Sequence, residues 1–142
     1  MSIKEKFEFA RIIRNNLYEE VQDYIDKFNI DINNFKYSTS LNALDLALTN
    51  KSFEVAKILI KNGAKINVFL PDYSLLAKYA ILNRFDAVDF LIENGADLPL
   101  KDRFDHDAFQ YFSTTLKTHV KNKYPEIYKE YLMKQTADNF NI

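Results

Sequence analysis

Apolar side chains recur at spacings of three and four along most of this chain, and short polar breaks divide them into pairs of helix-length runs. Phe7, Phe9, Ala10, Ile12 and Ile13 predict a helix over residues 4–14, which Asn15 and Asn16 interrupt. Leu17, Val21, Tyr24, Ile25 and Phe28 predict an antiparallel partner that stops at Asn29. A polar and aromatic loop over 34–40 leads into a short helix over 42–48, with Asn42 or Ser40 as its N-cap. Asn50, Lys51 and Ser52 then turn the chain into a second helix over 53–60. Pro71 excludes a continuous helix through the next loop, 68–73. The pattern returns over 74–80, turns at Asn83 and Arg84, and runs again over 85–92. Asp107 and Gln110 have the spacing of a capping box, predicting a helix from there to about Lys123. Pro125 suits the first turn of a last helix through Tyr131 and Leu132, and residues 135–142 read as a frayed tail.

The two middle pairs are copies of one another. Leu59-Ile60-Lys61-Asn62-Gly63-Ala64 recurs 32 positions later as Leu91-Ile92-Glu93-Asn94-Gly95-Ala96. The chain has only 2 glycines, Gly63 and Gly95, and both stand where a helix ends and a left-handed residue is wanted. A fixed period with glycines at matching helix ends predicts stacked, quasi-identical units.

These residues resemble ankyrin repeats. The family's consensus opens T-P-L-H-L-A-A, continues x-x-G-H-L-E-V-V-K-L-L-L and closes E-N-G-A-D-V-N. Residues 42–67 supply N-A-L-D-L-A-L, T-N-K-S-F-E-V-A-K-I-L-I and K-N-G-A-K-I-N, and residues 74–99 a weaker copy closing E-N-G-A-D-L-P. Residues 16–33 are similar to the second half of a repeat without its glycine, and residues 105–134 match only as a helix pair. The Pro and His of the opening motif are missing, and Lys51 and Asn83 stand where the inter-helix glycine is usual. The resemblance implies an all-α ankyrin-type helical repeat solenoid of about four helix pairs with hairpin-like inter-repeat loops. The expected organisation is a single domain, 1–142, with repeats at approximately 4–33, 38–67, 72–99 and 104–134.

Composition narrows function mainly by exclusion. Lys and Arg number 19 against 20 for Asp and Glu, and the balance is even along the chain. No basic excess supports nucleic-acid recognition. Cysteine is absent, which removes disulfides, thiol nucleophiles and cysteine metal sites and suits a reducing compartment. The charged opening Met1-Ser2-Ile3-Lys4-Glu5-Lys6 lacks the apolar run of a signal peptide, and no apolar segment approaches the ~20 residues that span a bilayer. A cytoplasmic, monomeric globular protein without cofactor is expected, with neither nucleic acid nor membrane as partner.

With both glycines at helix ends, no glycine-rich phosphate loop can be built. Ser38, Thr39, Ser40, Ser113, Thr114 and Thr115 have no histidine beside them to act as a base and read as caps and surface hydroxyls. Asp102, Asp105, His106 and Asp107 have the ligand types of a divalent-cation site, and a metal-dependent hydrolase is the alternative function they suggest. Their simpler reading is an acidic loop and N-cap complementing the next helix. His119 and the Lys117, Lys121, Lys123 set read as a solvated helix face, with a docking site for an acidic partner second.

The loop aromatics carry the sharper signal. Phe35 and Tyr37 occupy the first inter-repeat loop, Phe69 and Tyr73 the second, and Phe104 the third, with Asp72 and Arg103 as charged neighbours. Exposed Tyr and Phe flanked by charge are typical hot-spot residues, whereas Phe35 and Phe69 also suit a core. The resemblance implies a concave, protein-binding surface that adds Asp45, Leu48, Thr49, Ala77, Ile81 and Leu82. The expected function is non-enzymatic binding of a partner protein, as an adaptor or as an inhibitor such as an immunity protein.

Overall fold

Each helix pair begins at a side-chain cap, and the first three turn and end at left-handed residues. The computed structural model describes residues 1–38 and 41–140, Phe140 by its backbone only. The expectations placed on Thr39, Ser40 and residues 141–142 therefore lie outside the described residues. The chain divides into two compact units, Met1–Ile66 and Asn67–Ile142.

The first unit holds α1 (Ile3–Arg14), α2 (Tyr18–Phe28), α3 (Ala43–Thr49) and α4 (Phe53–Lys61), with a small antiparallel ribbon, β1 (Lys36–Ser38) and β2 (Leu41–Asn42), between the pairs. Ser2 and Glu5 close a capping box on α1, and Asn42 caps α3 by accepting from the Asp45 N–H at 2.9 Å. The turns inside the pairs are equivalent. Asn16 and Lys51 have φ of 54° and 58°, and the next N–H returns to the preceding helix, Leu17 to the Ile12 carbonyl and Ser52 to the Ala47 carbonyl. At the far ends, Asn29 (φ 46°) and Gly63 (φ 96°) play one role, followed by Ile30 N–H to Ile25 and Ala64 N–H to Leu59. Asparagine tolerates the left-handed region best after glycine, so the first repeat closes without one. α1 packs on α3 and α2 on α4, and Phe9, Ile12, Ile13, Val21, Leu44, Leu48, Val55 and Leu59 are buried.

The second unit repeats this with α5 (Leu75–Ile81) and α6 (Phe85–Glu93), then adds a 3-10 helix (Ala108–Tyr111), α7 (Thr114–Lys123) and α8 (Pro125–Phe140). Ser74 caps α5, Asn83 (φ 53°) makes the inner turn and Gly95 (φ 95°) closes α6. The capping box at Asp107 and Gln110 is present, but it starts the 3-10 helix. The single helix expected from Asp107 to Lys123 is two pieces, because Phe112 is extended and Ser113 caps a new start by accepting from the Leu116 N–H. The last helix does not fray at Gln135. It continues to Phe140, anchored where Tyr131 and Gln135 both donate to the buried Asp107 carboxylate.

His119 is not on a solvated face. It is half-buried, with Nε2 at 2.8 Å from Asp89 Oδ1, and Lys123 and Tyr124 donate to the same carboxylate at 3.0 Å. Partial burial alone raises the Asp89 carboxyl, and the hydrogen bonds from His119, Lys123 and Tyr124 outweigh it, holding the group below the usual carboxylate range. This one carboxylate ties α7 to α6.

Two outcomes follow from these joints. Gly63→Ala adds a Cβ that meets no atom within 4 Å, so its cost is backbone strain alone. It lowers stability by about 1 kcal/mol, and Gly63→Asn by less, read as shifts in urea midpoint at unchanged slope. For Asp89, whose folded pKa is depressed, the stabilisation is present above the unfolded carboxylate value of about 4 and is lost as pH falls through the folded value. Asp89→Asn loses roughly 1–2 kcal/mol at neutral pH, and the deficit shrinks below about pH 4, checked by denaturant melts across pH.

Candidate functional site

The exposed aromatics of the second unit sit on two successive hairpin-like loops. In the first, Phe69 and Ser74 face each other as an antiparallel bridge, and the Leu70 N–H donates to the Tyr73 carbonyl at 2.9 Å. In the second, Lys101 and Asp107 form the bridge, and the Asp102 N–H donates to the His106 carbonyl at 2.8 Å. Phe69, Tyr73 and Phe104 are 39%, 37% and 47% exposed, in a chain whose other Phe side chains are mostly buried or half-buried. Rings of Tyr73 and Phe104 lie 6.5 Å apart, and the Arg103 guanidinium stands 4.8 Å from the Phe104 ring centre. Arg103 also reaches Asp72 at 3.2 Å, which ties one loop to the other. Between the loops lies an open cleft of about 390 Å³ lined by Phe69, Pro71, Asp72, Lys101, Asp102 and Arg103.

Beneath this surface is a brace that the sequence did not reveal. The Tyr111 ring packs edge-on against Tyr73 at 5.2 Å, and its hydroxyl donates to Asp102 Oδ2 at 2.6 Å. Burial and that carboxylate push the Tyr111 phenol up to about 12. Partial burial by itself raises Asp102, but bonds from the Tyr111 hydroxyl and the His106 and Phe104 N–H groups leave its carboxyl lowered. Asp102 and Tyr111 are nine residues apart across a turn. No periodic pattern marks such a pair, and the path between them is set by the bridged turn at Lys101–Asp107 and the cap that follows it.

The remaining expected contact residues divide by burial. Ile81 is 49% exposed, and Leu82 and Thr49 are exposed as well. Ala77 and Leu48 are buried, as is Asp45. Phe35 is buried edge-on against Phe9 at 5.0 Å, so it belongs to the core of the first unit and offers no contact surface. Tyr37 is half-buried, its hydroxyl accepting from Arg14 Nη1 at 2.6 Å with the guanidinium 5.2 Å from the ring centre.

The acidic loop does not gather its four side chains. Asp102 serves the turn and Tyr111, Asp107 serves its own cap and α8, and Asp105 lies exposed beside Lys101. His106 Nδ1 is 3.2 Å from the Tyr111 hydroxyl. Among the described residues, no group of three or more His, Asp or Glu is arranged to hold a metal ion.

No described helix is long and apolar enough to cross a membrane. Comparison with the curated proteins gives no match. The family model of ankyrin repeats, in three copies, matches residues 9–102. Ankyrin repeats are in general protein–protein interaction modules. The match spans well over half the chain, from within α1 to past the closure of α6, and takes in the left-handed closures at Asn29, Gly63 and Gly95. This chain belongs to the ankyrin-repeat family.

Proposed function

We propose that this ankyrin-repeat protein is a non-enzymatic recognition module that binds another protein. In the second unit the contact surface is formed by Phe69, Asp72, Tyr73, Arg103 and Phe104, with Ile81 on the helix behind them. The first unit contributes Thr49 and Tyr37 from its own surface. The observation that carries this reading is the exposure of three aromatic side chains on two neighbouring loops, held in place by the Arg103–Asp72 pair. Aromatic rings stiffened by neighbours lose little entropy on binding, and an adjacent arginine supplies directional hydrogen bonds. Ala77, Asp45 and Phe35 are buried within their own units and lie outside this surface. The protein acts as a cytoplasmic monomer, either as an adaptor or as an inhibitor of the immunity-protein type.

The test is affinity capture from cells of the source organism, comparing the native chain with Tyr73→Ala/Phe104→Ala. A specific partner is retained by the native chain and its binding weakens roughly 10- to 100-fold in the double variant, with melting unchanged. Equal retention by both proteins, or turnover of a small molecule without any partner, overturns the proposal.

A further inference from the structure

Helix α7 presents a positive face that its own unit neutralises only in part. Residues 108–125 contain three lysines, one histidine and no carboxylate. Lys123 and His119 are engaged with Asp89. Lys117 and Lys121, one turn apart, are exposed, and among the described residues neither has an ion-pair partner. Their ammonium groups stand over aromatic rings, Lys117 at 5.5 Å from the Phe109 centre and Lys121 at 5.7 Å from Tyr128. The rings hold the ammonium groups in place without removing their charge.

The spacing is unfavourable for the helix itself, since like charges four residues apart repel on one face. On α4, by contrast, Lys57 has Glu54 a turn before it. The helix dipole accounts for Lys121 and Lys123 in the last turn but not for Lys117 near the middle. Repulsion of this kind is relieved by an anionic partner.

We propose that this face docks an acidic segment of a partner protein, with two carboxylates about one helical turn apart meeting Lys117 and Lys121. It uses none of the loop aromatics and stands independently of them. Nucleic acid fits less well, because a phosphate backbone gains affinity from many simultaneous cations and the whole chain carries net charge −1. A lipid surface fits less well too, because the exposed neighbours are Thr114 and Thr118, not apolar anchors.

Fluorescence anisotropy of a labelled oligoglutamate peptide, titrated with the full chain at low ionic strength, tests this. Binding is expected, weakened at physiological salt and about tenfold by Lys117→Glu/Lys121→Glu, with a smaller loss in Lys117→Gln/Lys121→Gln and none in Tyr73→Ala/Phe104→Ala. Circular dichroism of each variant confirms that α7 is kept. The proposal is overturned by absence of binding at low salt, by equal binding of the charge-reversed variant, or by tighter binding of single-stranded DNA or anionic vesicles than of the peptide.

Discussion

A left-handed residue at the end of each of the first three helix pairs is the constraint on which this structure rests. An α-helix leaves its last carbonyls unsatisfied, and a single residue with positive φ lets the following N–H reach back to one of them while turning the chain out of the helix. Asn29, Gly63 and Gly95 do this at the outer ends of three pairs, and Asn16, Lys51 and Asn83 do it at the inner turns. Within the first unit, apolar faces that neither pair can bury alone then meet, α1 on α3 and α2 on α4.

Asparagine side chains convert that geometry into contact between neighbouring repeats. In the first unit Asn33 Nδ2 donates to the Gly63 carbonyl at 2.8 Å, and its Oδ1 accepts from the Lys65 N–H at 2.9 Å. In the second unit Asn67 does the same, to the Gly95 carbonyl and from the Asp97 N–H. The glycine carbonyl stays reachable because the left-handed closure turns it outward. At the third position in this series stands Pro99, whose side chain has no amide to offer. From there the mode of attachment changes. Charged and phenolic groups take over, with Asp89 receiving α7 and Asp107 receiving α8.

This change explains what could and could not be read from the sequence. Helix pairs, the cap at Asn42, and closures at the glycines depend on local residue types and a short period, and they were legible. The helix break at Phe112–Ser113 was not, because the capping box at Asp107 is as compatible with an α-helix as with the single 3-10 turn it begins. His119 reads as a surface residue when its neighbours are Thr and Lys, and only the approach of Asp89, thirty residues earlier, places it at a half-buried joint. Likewise Phe35 and Phe69 fill similar slots in two loops, yet one is buried against Phe9 and the other stands exposed. Loop packing is decided by what lies opposite, and a single strand of sequence does not carry that information.

The same contrast bears on function. Where a loop aromatic meets a ring from its own core, as Phe35 meets Phe9, the fold uses its apolar surface and none remains for a partner. In the second unit Tyr111 and Asp102 support the loops from below, so that Tyr73 and Phe104 are positioned without being covered. Holding large rings at the surface is unfavourable for an isolated molecule, and the Arg103–Asp72 pair and the Tyr111 brace offset only the flexibility, not the exposure. Rigid exposed rings are what a binding surface requires, because the ordering cost of association has been met in folding.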